Sequence, residues 1–135
     1  MYTRGQLEGM MIFYGCPNFF IVNKPDYKWG YQPQYRISLR VDNKFIEPIR
    51  NSLLHLGIET RTYNEMRRAV RTIIITRKES VIKALKLVPI HAVTKNDKWE
   101  VFIQLMKMIE DGEHLTTDGR YEFERLLNEN KRQKT

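Results

Sequence analysis

Five alternate positions in the first third of the chain, Gln32, Gln34, Arg36, Ser38 and Arg40, carry side chains that can read the edges of bases. Arginine bonds guanine through two parallel N–H donors, glutamine pairs with adenine in the same two-point way, and serine accepts several partners. The intervening Tyr35, Ile37, Leu39 and Val41 are apolar, so the period is two and the segment reads as a half-buried strand. A strand that is merely wet on one side alternates in the same way. What distinguishes this one is that none of its five polar positions is acidic, in a chain with 16 Asp and Glu. A positive ribbon of that kind suits the DNA major groove.

The charge of the whole chain points the same way. Of the formal net charge of +7, residues 24–44 hold +3 and residues 61–78 hold +5, so the remainder is slightly acidic. Charge confined to two stretches suggests a polyanion-binding surface, against the alternative of a surface that is simply basic. Within the first stretch, Lys24, Tyr27, Lys28 and Trp29 surround a turn, where they reach a phosphate backbone or stack on a base. The alternative for the aromatic pair is to tuck under its own loop. In the second stretch Arg61, Arg67, Arg68 and Arg71 have phosphate neutralisation as their simplest role.

Conventional catalytic motifs are missing: there is no phosphate-binding glycine loop, no dinucleotide fingerprint, no H-E-x-x-H and no cysteine pair. His55, His91 and His114 lie in separate segments and read as structural or surface residues, so no metal site is expected. The lone Cys16 reads as a small buried residue, and a single cysteine suits a reducing compartment. No apolar run is long enough to span a bilayer and no signal peptide is apparent. The expectation is a cytoplasmic, nucleoid-associated protein with no membrane partner.

The elements that must position these residues follow from periodicity and turn chemistry. Residues 3–14 read as a helix, apolar on almost every side beyond Gly9 and therefore expected to be buried all round. Gly5 and Gly9 lie on one side of it, although each glycine costs a helix about 1 kcal/mol relative to alanine. Residues 19–24 and the strand after Pro33 form a first hairpin. A helix capped by Asp42 or Asn43 follows, regular only from near Glu47 because of Pro48, and ends at Gly57. Residues 58–63 and 69–76 read as a second strand pair, and 79–87 as a short helix. Residues 97–111 form an amphipathic helix, and a last helix, capped by Thr116 or Thr117, ends near Asn130. The fold class is α+β, an antiparallel sheet with helices on one face and additional helices at the C-terminal end. Residues 1–130 read as one domain and 131–135 as a basic tail.

This order of elements, αββαββα, with a glycine-bearing first helix resembles the single-motif LAGLIDADG homing endonucleases over nearly the full length. Leu7-Glu8-Gly9-Met10-Met11-Ile12-Phe13-Tyr14-Gly15 is similar to their motif, with Leu7, Gly9 and Gly15 retained. Lys24-Pro25, the strand Tyr35–Val41, Lys98-Trp99-Glu100-Val101-Phe102 and His114-Leu115-Thr116-Thr117-Asp118-Gly119 match further features in the same order. The resemblance implies a homodimer in which two motif helices meet through Gly5, Leu7, Glu8, Gly9, Met11, Ile12 and Gly15. The two sheets would then form one saddle on double-stranded DNA, with Lys95 binding phosphate.

The motif's two acids fall at Ile12 and Tyr14. In active members the acid at the second position holds a divalent metal, which requires hard oxygen ligands. The expectation is therefore a catalytically inactive, sequence-specific DNA-binding homodimer without a cofactor, acting as a transcriptional or genome-element regulator. One alternative is an active Mg²⁺-dependent homing endonuclease that recruits another acid; a second is an RNA-binding, maturase-like protein.

Overall fold

The computed structural model of the 135-residue chain describes residues 1–63, 69–89 and 98–134. Its order is α1 (Arg4–Tyr14), β1 (Gly15–Asn23), β2 (Tyr31–Asp42), α2 (Asn43–His55), β3 (Arg61–Thr62), β4 (Val70–Ile75), α3 (Lys78–Leu85), α4 (Lys98–Asp111) and α5 (Thr117–Lys134), with a 3₁₀ turn at Glu113–Leu115. The strands form one sheet in the order β1-β2-β4-β3, with β4 antiparallel to both of its neighbours. The α+β class and the element order are those expected. The chain divides into two compact units: Met1–Asn18 with Arg36–Ala92, and Phe19–Tyr35 with Val93–Thr135.

In the first unit α1 starts with a reciprocal cap. The Gln6 amide donates to Thr3 Oγ1 at 3.2 Å and the Thr3 amide donates to Gln6 Oε1 at 2.9 Å. Only Leu7 and Met11 of this helix are buried, whereas Phe13 is 83% and Tyr14 60% exposed. The expectation of all-round burial is thus corrected: one stripe meets the core and the rest faces outward. The inward rows of the sheet, Ile37, Leu39 and Val41 on β2 with Ile73 and Ile75 on β4, are buried together with Ile46, Ile49 and Leu53 of α2 and with Val81 and Ala84 of α3.

Three of the element boundaries that differ from expectation do so for a local reason. β1 begins at Gly15 rather than Phe19 and contains Pro17, and it lies at the edge of the sheet, the place where a strand accommodates proline. This start turns Cys16 outward, and it is exposed rather than buried. α2 begins at Asn43, with Asp42 Oδ1 accepting from the Lys44 amide at 3.2 Å, and continues through Pro48. Burial of Ile46, Ile49 and Leu53 offsets the hydrogen bond the proline removes. β3 is only Arg61–Thr62, because side chains take the backbone groups before it. The Glu59 amide donates to Ser80 Oγ at 3.0 Å, and Arg50 Nη2 donates to the Thr60 carbonyl at 3.2 Å.

The second unit packs aromatic rings around Phe19, which is fully buried among Tyr35, Phe102 and Phe123 at centroid distances of 6.0, 6.3 and 5.9 Å. Tyr31 stacks on Phe123 at 6.4 Å; burial, then the nearby Glu124 carboxylate, push its phenol pKa up, while Arg120 opposes them. Asn130 Nδ2 donates to the Phe19 carbonyl at 2.8 Å, and α5 continues past Asn130 to Lys134. Thr116 supplies the cap, its Oγ1 accepting from the Gly119 amide at 2.9 Å. A Cβ on Gly119 would stand 1.9 Å from the Glu113 carbonyl oxygen and 2.6 Å from Thr116 Oγ1. Gly119→Ala is therefore expected to destabilise the protein by about 1–3 kcal/mol in denaturant titration. An unchanged midpoint would contradict this role for Gly119.

Candidate nucleic-acid interface

The register of the sheet decides which side chains share its outward face in the first unit. Ser38 stands opposite Ile74, and Ile74 opposite Arg61, forming one rank across three strands. Arg40 stands opposite Thr72, whose carbonyl accepts from the Tyr63 amide at 3.3 Å, forming the next rank. Arg36, two residues before Ser38, occupies the same side of β2. Arg36, Ser38, Arg40, Arg61, Tyr63 and Thr72 thus present cations and hydroxyls and no carboxylate. The β2 row ends at Asp42, whose carboxylate is the α2 cap.

Two of these cations are tied to neighbours. Arg61 Nη2 donates to Thr76 Oγ1 at 3.3 Å, and Arg36 Nη1 donates to the Tyr63 hydroxyl at 3.2 Å. The second bond joins β2 to the residue after β3, so it spans the intervening β4. Beneath that span Ile74, although on the outward face, is only 5% exposed. Tyr63 and Thr72 were not among the residues singled out from the sequence. The period-two step from Arg61 points to Tyr63, whereas Thr72 becomes visible only through the register.

Arg71 does not join this face. It stands opposite Val41 and alternates with Ile73 and Ile75, so it lies on the inward side, and its Nη2 donates to Thr62 Oγ1 at 3.3 Å. Arg67, Arg68 and Lys95 lie outside the described residues, as does His91.

In the second unit Gln32 and Gln34 occupy alternate positions of β2. The turn before them is engaged with the C-terminal helices. Trp29 Nε1 donates to the His114 carbonyl at 3.0 Å, Lys28 Nζ donates to the Leu115 carbonyl at 2.7 Å, and the Arg120 guanidinium lies 4.3 Å from the Trp29 ring centroid. Trp29 does not tuck under its own loop: its partners His114 and Arg120 belong to the C-terminal segment of the same unit. Tyr27 and Lys24 are exposed.

The remaining candidate residues belong to α1. A Cβ on Gly5 or on Gly9 would meet nothing within 4 Å among the described residues. Packing among the described residues therefore gives no reason for either glycine. Leu7 and Met11 are in the core, Glu8, Gly9 and Ile12 are half-buried, and Gly15 is buried where α1 passes into β1. Tyr14 ends the helix and shares a groove of about 440 Å³ with Met10, Arg40, Asp42 and Phe45.

A divalent metal does not fit this helix end. Ile12 has no donor atom, a phenol is a poor substitute for a carboxylate, and the Glu8 carboxylate lies 3.8 Å from Arg4 Nε, more than a turn away. Among the described residues no group of three or more His, Cys, Asp and Glu could hold an ion. Among them, too, no helix is long and apolar enough to cross a membrane.

No protein-family model matches the chain, and no curated protein does. Solved structures do. The homing endonuclease I-TnaI is similar with a TM-score of 0.72 at 18% identity, over 93% of this chain and 85% of that one. An archaeal intron-encoded homing endonuclease, I-Vdi141I, complexed with DNA gives 0.75 at 19% identity, over 96% and 82%. The LAGLIDADG homing endonuclease I-LtrWI, bound to target DNA, gives 0.72 at 18% identity, over 94% of this chain but only 43% of that one. At these identities the likeness shows the fold: the chain has the fold of the LAGLIDADG homing endonucleases.

Proposed function

We propose that this protein binds double-stranded DNA sequence-specifically as a homodimer and does not cut it, serving as a regulator of transcription or of a genome element. The observation that carries the reading is the outward face of Arg36, Ser38, Arg40, Arg61, Tyr63 and Thr72, cations and hydroxyls bordered on β2 by the Asp42 carboxylate that caps α2, set on a fold whose solved examples include complexes with DNA. Its chemistry is that of base-edge and phosphate contact, with arginines for guanine and for backbone oxygens and hydroxyls for either. In the second unit Gln32 and Gln34 add adenine-reading amides at alternate positions of β2. The homodimer is supported by Gly5 and Gly9, which nothing within the described chain requires, and by the match to less than half of I-LtrWI but to most of I-TnaI. A two-fold axis between α1 helices would repeat the face on each half of a pseudo-palindromic site.

Absence of cleavage rests on Ile12 and Tyr14. Hydrolysis of a phosphodiester through a bound metal needs carboxylate ligands at the phosphate, and the end of α1 provides none. Incubation with a plasmid library in magnesium or manganese is expected to leave the DNA uncut, read on gels and by end sequencing. Site-specific double-strand breaks would overturn the non-cleaving reading in favour of an active endonuclease.

A further inference from the structure

We infer that Tyr63 is a positioning residue for sequence readout, holding Arg36 so that the pair recognises one guanine-containing base pair in each half-site of duplex DNA. The inference rests on the proposed DNA-binding reading and adds a residue to it. Arg36 reaches Tyr63 across the width of β4, 3.2 Å from Nη1 to the phenol oxygen. A bond between non-adjacent strands requires both side chains to lie along the sheet face, and the 5% exposure of the outward-facing Ile74 is the mark of that cover. Tyr63 is itself anchored, its amide donating to the Thr72 carbonyl at 3.3 Å.

Such an anchor matters because arginine has many rotamers. Ordering them on binding opposes affinity, and a guanidinium already held in place loses less of its freedom per contact made. It also limits which base the planar fork can meet, since two-point pairing with guanine depends on orientation as well as charge. Tyr63 is 47% exposed, so removing its hydroxyl leaves no buried group unpaired. Arg40, in the neighbouring rank, supplies an internal comparison.

The test is selection of bound sequences from random DNA duplexes, run in parallel with RNA, for the wild type, Tyr63→Phe, Arg36→Ala, the double variant and Arg40→Ala. The wild type should select a consensus containing a symmetric pair of guanines that Arg36→Ala erases, a loss of about 10- to 100-fold in discrimination. Tyr63→Phe should relax the same two positions by about fivefold, leaving those that depend on Arg40 unchanged. In the Arg36→Ala background Tyr63→Phe should add nothing, as expected of coupled groups. An unchanged consensus for Tyr63→Phe, or an equal loss at every position, would overturn the positioning role while leaving DNA binding intact. A wild type that selects no duplex, or prefers RNA, would overturn the DNA reading and this inference with it.

Discussion

Gly9→Leu is expected to turn the proposed dimer into a folded monomer and to weaken binding to a palindromic duplex by about 10²–10⁴-fold, the avidity that two linked half-sites supply. The expectation has two halves of opposite sign. Within the chain a Cβ at this position meets nothing within 4 Å among the described residues, and leucine is the better helix former by about 1 kcal/mol. The monomer therefore keeps its fold, which circular dichroism will show. Between two copies of α1, however, the same side chain would stand where a partner backbone must come close. Sedimentation velocity and binding to half-site and full-site duplexes separate the two effects. A variant that still sediments as a dimer would place the interface elsewhere and detach Gly5 and Gly9 from it.

The second large effect is that of salt. If Arg61 and two to four further cations from each protomer neutralise about six to ten phosphates, affinity should fall about 10³–10⁵-fold between 50 and 200 mM salt. Fluorescence anisotropy on one duplex across that range measures the slope directly. Arg61→Ala should lower the slope by about two for a dimer, one phosphate per protomer, and weaken unrelated sequences as much as the preferred one. Arg71→Ala should leave the slope nearly unchanged, because Arg71 is on the inward side with Ile73 and Ile75. A flat response to salt would remove phosphate contact as the basis of binding.

The contrast between Arg61 and Arg71 shows where reading the sequence stopped. Both belong to the same basic stretch, and composition treats them alike. The alternation of Tyr35, Ile37, Leu39 and Val41 is local and strong, so the two sides of β2 were legible from the residues alone. β4 is Val70–Ile75, in which three consecutive isoleucines follow Thr72, and no period of two is visible there. Only the pairing of Val41 with Arg71, and of Arg40 with Thr72, assigns its sides. The turn containing Trp29 was open between two roles for a similar reason, since its partners His114, Leu115 and Arg120 lie about 85 to 90 positions away along the chain.

The sequence by itself determined the order of the elements and the polar row from Gln32 to Arg40, while the reading of Ile12 and Tyr14 as replaced carboxylates came only from the resemblance. The order and the row depend on periods of two and 3.6 and on residue identity, which are properties of neighbours along the chain. The tertiary structure decided that α1 buries a single stripe, that Arg71 turns inward, that Trp29 is engaged within its own unit, and that Tyr63 reaches Arg36 across β4. Each of these follows from strand register or from packing between distant segments, where a shift of one residue exchanges the two faces of a strand.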